Sequence, residues 1–101
     1  MAGSKRGPYA DDCIGRHVEA AHRDCVRIDW NPVRPDVERM RVRDHTCDCQ
    51  PVFYELCQAG GQRCIRRTTR KGGRVVVEES VRTNAPQTDI LWFLLLCGDA
   101  R

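Results

Sequence analysis

Residues 52–69, VFYELCQAGGQRCIRRTT, carry the reading on which the fold turns. Two stretches of strand-forming residues flank Gly60-Gly61, and a two-residue connection of this kind is a hairpin turn because glycine reaches positive φ without a steric penalty. With both glycines at the centre of the turn the register is fixed: Ala59 faces Gln62, Gln58 faces Arg63, Cys57 faces Cys64, Leu56 faces Ile65 and Glu55 faces Arg66. Side chains alternate across a strand. Leu56, Ile65 and Tyr54 therefore share one face, which is the expected core, while Cys57, Cys64 and the Glu55/Arg66 pair share the other.

Downstream, Lys71-Gly72-Gly73 reads as a second turn and residues 74–82 as a third strand. Its run of Val75, Val76 and Val77 suits burial on both faces or at an interface. Then the pattern changes. Asn84 is a good N-cap, Pro86 suits a first helical turn, Gln87 can reach back as in a capping box, and Gly98 stops the chain, which predicts a helix over 85–97. Ile90 through Leu96 are apolar all round, although a helix lying on a sheet needs only one apolar stripe. A second covering surface is implied, either an N-terminal helix or another copy of the chain. In the second case Trp92, Phe93 and Leu96 are the expected contact residues of a two-fold dimer.

Upstream of the hairpin the signals are weaker. Residues 1–10 mix Gly, Ser, Lys, Arg and Pro without apolar periodicity and read as a disordered arm. From Asp11, the positions Ile14, Val18, Ala21 and Cys25 recur at helical spacing, with Asp11 or Asp12 as a cap. Val26, Ile28 and Trp30 alternate as in a strand that Asn31-Pro32 ends. After a loop reaching Pro35, Val37, Met40 and Val42 give a faint strand signal. The fold class expected is α+β: an antiparallel meander of three or more strands packed with a C-terminal helix and an N-terminal helix, one domain over 11–101.

Composition narrows the function classes. The formal charge is +3, and every basic residue except Lys5 and Lys71 is Arg. Arg suits bidentate recognition of phosphate or carboxylate, but a GC-rich bacterial genome also supplies Arg codons in place of Lys. The seven cysteines are preceded by no apolar leader and are expected to be reduced, as in cytoplasm. The longest apolar run, Ile90 to Cys97, is eight residues; spanning a bilayer takes about 20. No membrane segment is expected.

Two clusters could carry chemistry. His45, Cys47 and Cys49, followed by Cys57 and Cys64, have the side chains that zinc prefers, and a four-thiolate set with His45 as a substitute would complete a tetrahedron. The spacing departs from common zinc modules, since the Cys pairs are separated by one and six residues rather than two to four. The plain alternative is that Cys57 and Cys64 pack as small hydrophobes. The hairpin arginines Arg63, Arg67 and Arg70, with Lys71 and Arg74, form a basic stretch suited to an acidic protein or DNA. Alternation opposes this: Arg66 and Arg70 point away from Arg63 and Arg67. A cysteine nucleophile served by His17, His22 or His45 has no motif around it, and neither Gly-Gly pair opens a helix as a phosphate loop would.

The order of three antiparallel strands and a helix over residues 52–98 is similar in topology to the DNA-binding domains of plant ethylene-response factors and of tyrosine-integrase arm-binding domains. That likeness implies a sheet that contacts DNA, but it rests on no matched motif. The function expected is a non-enzymatic regulatory or adaptor protein that binds a macromolecular partner as a homodimer. A sheet-based DNA binder and a zinc-stabilised interaction domain are the alternatives.

Overall fold

Five strands and one helix follow in chain order in the computed structural model, which describes residues 15–33 and 40–101: Asn31–Pro32 (β1), Arg41–His45 (β2), Val52–Ala59 (β3), Gln62–Lys71 (β4), Arg74–Glu79 (β5) and Ala85–Leu96 (α1). The strands form one antiparallel sheet in the order β1-β5-β4-β3-β2. The expected hairpin register is seen, with Cys57 opposite Cys64 and Leu56 opposite Ile65. At the next turn Gly72 and Gly73 take φ of +58° and +78°, a conformation that favours glycine at both positions.

The helix lies on the face that carries Tyr54, Leu56 and Ile65, and these three with Trp92 and Leu95 make the buried core. A register shift between Val42 and Asp44 brings Asp44 opposite Leu56. The shift matters because it puts the Asp44 carboxylate on the helix side, where it accepts a hydrogen bond from Trp92 Nε1 at 3.1 Å. The other face is buried too at its centre: Cys57 and Cys64 are both fully enclosed. Beside them a nearly buried ion pair joins Arg82 Nε to Glu79 Oε1 at 3.1 Å.

Both ends of α1 follow from their residues. The Asn84 side chain accepts from the Gln87 N–H at 3.0 Å, satisfying one of the orphan donors of the first turn. Gln87 reaches back to the Thr83 hydroxyl, 2.6 Å, rather than to the cap residue itself. At the other end Gly98 has φ +84°. Its N–H donates to the Leu95 carbonyl and that of Asp99 to the Leu94 carbonyl, the paired bonds of a Schellman cap.

The N-terminal helix is the expectation that fails over the described residues. Residues 15–25 contain no helix and turn at Arg23-Asp24, where the Cys25 N–H donates to the His22 carbonyl, and the first turn expected from Asp11 lies outside the described residues, as does the 1–10 arm. Tertiary hydrogen bonds replace helical ones. Glu19 N–H donates to the Leu96 carbonyl, His22 N–H to that of Gly98, Val26 N–H to that of Asp99 and Ile28 N–H to that of Arg101, while Arg101 N–H returns a bond to Val26. Here the β-branched positions and Gly15 gave helical periodicity little intrinsic support, and the C-terminal tail offered the backbone a partner. Val18, Ile28 and Trp30 still reach the core, from a strap rather than from a helix. The strand expected at Val26–Trp30 is likewise displaced: Val26 makes a single bridge to Ala100, and the sheet strand is the next two residues, Asn31–Pro32, at the edge where a proline is tolerated. Of the weak signal after the proline loop, Val37 lies outside the described residues and Val42 falls in β2.

Candidate metal centre and flanking surfaces

The strap and the loop after β2 meet through their backbones. Arg16 and Thr46 form a parallel bridge, the Cys47 N–H donates to the Arg16 carbonyl at 2.9 Å, and the Thr46 N–H donates to the Tyr54 carbonyl at 2.9 Å. A side chain at Gly15 would crowd the His45 carbonyl at 3.0 Å, so a residue without Cβ lets the strap lie this close. His17 is thereby carried to the Cys47-Asp48-Cys49 turn. The ligand atoms of His17, Cys47 and Cys49 all lie within 4.8 Å of one another. Cys49 Sγ is 3.2 Å from His17 Nε2. Cys47 is buried, whereas His17 and Cys49 are exposed.

Arg70 holds this turn from the sheet. Its Nη2 donates to the carbonyls of Asp48 and Gln50, the latter at 3.1 Å, and its guanidinium lies 5.1 Å above the Phe53 ring. The Arg70 N–H also donates to the Pro51 carbonyl. A cleft of about 570 Å³ opens beside the cluster, lined among others by His17, Cys47, Thr46, Tyr54 and Arg101.

Of the five metal-ligating residues expected from the sequence, Cys47 and Cys49 come together and the other three do not join them. His45 ends β2 opposite Glu55, with its Nδ1 3.2 Å from the Thr46 carbonyl oxygen. Cys57 and Cys64 sit in mid-strand, enclosed against each other. Burial pushes the Cys57 thiol up to about 12, with the neighbouring Cys64, Glu55 and Glu79 adding to it and Arg66 opposing. Cys64 is raised by the same cause. Both are free thiols, and as protonated groups they pack as small hydrophobes rather than as ligands. His17 was missed as a ligand because it lies 32 residues from Cys49. No spacing rule joins residues so far apart, so the sequence carries no signal for it beyond the residue type.

The basic hairpin is largely engaged within the chain. Arg63 pairs with Asp89 at 2.6 Å and bonds Gln58. Arg67 pairs with Glu78 at 2.6 Å and stacks 4.5 Å above the Trp30 ring. Arg70 is taken up by the loop carbonyls. Lys71 and Arg74, at the hairpin tip, are exposed.

The three helix residues expected at a dimer contact divide. Trp92 is buried in the core and Leu96 packs against it, whereas Phe93 is 63% exposed. Ile90, one turn earlier, is also 63% exposed. Beside it a groove of about 340 Å³ runs between α1 and the strap, its apolar lining made by Val26, Ile28, Val81, Ile90, Leu91 and Leu94, with Arg27 and Asp29 among its polar liners. Val75 and Val76 in β5 are more than half exposed, so this chain alone does not bury the run of three valines. No helix among the described residues is long and apolar enough to cross a membrane. No family model, curated protein or solved structure matches the chain.

Proposed function

We propose that the protein is a small non-enzymatic adaptor or regulatory protein that acts as a homodimer, joined through the outer face of α1. The observation that carries this reading is the exposure of Ile90 and Phe93 beside an apolar groove whose rim residues Val26 and Val81 are 53% and 61% exposed. Fully burying a large apolar side chain is worth about 1.5–3 kcal/mol, and these four, each a little over half exposed, forgo roughly half of that apiece.

A second copy is the occupant that this face fits. Phe93 and the groove lie on either side of Ile90 on one helix, so a two-fold axis beside Ile90 would bring each Phe93 toward the groove of the other copy and bury both at once. The stretch Ile90–Cys97 carries no charge, and the charged residues that line the groove, Arg27 and Asp29, are exposed and on its strap side. Sedimentation of the wild type and of an Ile90→Asp/Phe93→Asp double variant tests it. A dimer at tens of micromolar that becomes monomeric in the variant is the expected result. A wild-type monomer at that concentration would remove the proposal.

A further inference from the structure

We infer that His17, Cys47 and Cys49 hold one zinc ion, which fastens the N-terminal strap to the loop after β2. The donor set is the first ground. Two thiolates and an imidazole are soft and borderline ligands that select zinc over the hard oxygen-seeking cations. Geometry is the second. With Zn–S near 2.3 Å and Zn–N near 2.0–2.1 Å, tetrahedral ligand atoms stand about 3.6–3.8 Å apart. The three atoms here all lie within 4.8 Å, and the Cys49 Sγ to His17 Nε2 distance of 3.2 Å lies on the near side of that value. No pair of ligand atoms lies more than about 1 Å beyond its tetrahedral separation.

Preorganisation is the third ground. The backbone bonds between Arg16 and Cys47 set the strap against the turn, and Arg70 holds the carbonyls of Asp48 and Gln50. The cluster thus joins two segments far apart in sequence, where a metal crosslink restricts the unfolded chain most. A chain of 101 residues has a modest core and gains from such a staple. A Cys49–His17 nucleophilic dyad would use the same 3.2 Å contact. It gives no role to Cys47, whose thiol stands in the same cluster, and a metal site uses all three.

The experiment uses the full chain purified with reductant and without added chelator. Metal analysis is expected to find close to one zinc per chain, and replacement by cobalt to give the visible bands of a tetrahedral ion together with sulfur-to-cobalt charge transfer. His17→Asn and Cys49→Ser alter exposed side chains, so both variants should fold. Removing a neighbour of a ligand typically weakens a site about 10–100-fold, so losing a ligand should weaken cobalt binding by at least about 100-fold. Cys25→Ser, outside the cluster, should bind as the wild type does. Chelation should also speed tryptic cleavage after Arg16 and Arg23, both exposed on the strap. Metal-free protein that gives no tetrahedral cobalt spectrum would overturn the assignment. So would a copper-only site, unchanged binding by Cys49→Ser, or Cys49 alkylation at a rate that zinc leaves unaltered.

Discussion

Gly98→Ala tests whether the strap and the helix cap are one structural unit. Two separate costs arise at this position. The residue has φ +84°, where an L side chain costs about 1–2 kcal/mol. The new Cβ would also fall well inside contact distance of the Ala20 carbonyl oxygen, which would have to retreat by on the order of 1 Å. That oxygen belongs to backbone, so no rotamer change relieves it. Movement there strains the bonds on either side, Glu19 N–H to Leu96 at 2.9 Å and His22 N–H to Gly98 at 2.8 Å. Each is worth about 0.5–1.5 kcal/mol net. The sum is about 2–5 kcal/mol, and a domain of this size loses about 4–8 °C of Tm per kcal/mol. Gly60→Ala is the internal control, because Gly60 has φ +60° with nothing within 4 Å of an added Cβ, so it reports the conformational cost alone. Thermal unfolding followed by circular dichroism should show Gly98→Ala losing at least about 10 °C, clearly more than Gly60→Ala. Equal losses would mean that the strap does not press on the helix end, and the account of residues 15–28 would fall with it.

Two further outcomes follow from particular contacts. Arg70→Ala should weaken cobalt binding by about 10–100-fold, as loss of an outer-shell partner does, while Arg74→Ala at the exposed hairpin tip should leave it unchanged. The buried Cys57 thiol is held at about 12 against an ordinary value of 9.0, so its proton is retained in the folded chain where the unfolded chain has lost it. Its contribution to stability is therefore fully present below pH 9 and is lost as the pH rises toward 12. Denaturant midpoints taken across that interval should fall in the wild type and fall less in Cys57→Ala; parallel slopes would refute the assignment.

The hairpin was legible to the residue because its turn is defined by two adjacent glycines, and strand alternation then carries the register without further information. The C-terminal helix was legible for the same kind of reason, since Asn84 and Gly98 mark its ends by local chemistry. Residues 15–30 were not. Their apolar positions fit a helix by spacing, and what overrode it was a set of hydrogen bonds to residues 96–101 at the far end of the chain. Local pattern carries no trace of such a partner. The spacing of Val18, Ile28 and Trp30 among polar residues does mark them for partial burial, yet an irregular strap achieves it rather than a helix and a strand.

The metal cluster shows the same division between local and long-range information. Cys47 and Cys49 are legible as candidate ligands because they are close in sequence, and His45 shares that proximity without sharing the site. The chain reverses direction over residues 46–51, however, and this loop after β2 faces the strap rather than the middle of the sheet. Cys57 and Cys64 are held by the register of β3 and β4, and the feature that made them legible as neighbours of each other is the one that keeps them in mid-sheet. A ligand assignment from sequence therefore needs a partner from a distant segment rather than a single cluster. A close pair supplies one edge of a tetrahedron, and the fold must bring a further ligand to it from a distant segment. Here the edge at Cys47 and Cys49 meets His17, whose strap is positioned by hydrogen bonds that no side chain of the cluster makes. If those bonds set the geometry before any ion arrives, Gly98→Ala, which disturbs the strap from its other end, should also lower the affinity for cobalt, although Gly98 touches none of the three ligands. Cobalt titration of the folded variant below its melting temperature decides it. Wild-type affinity in that variant would show that the ion gathers its ligands without help from the strap's attachment to the C-terminal tail.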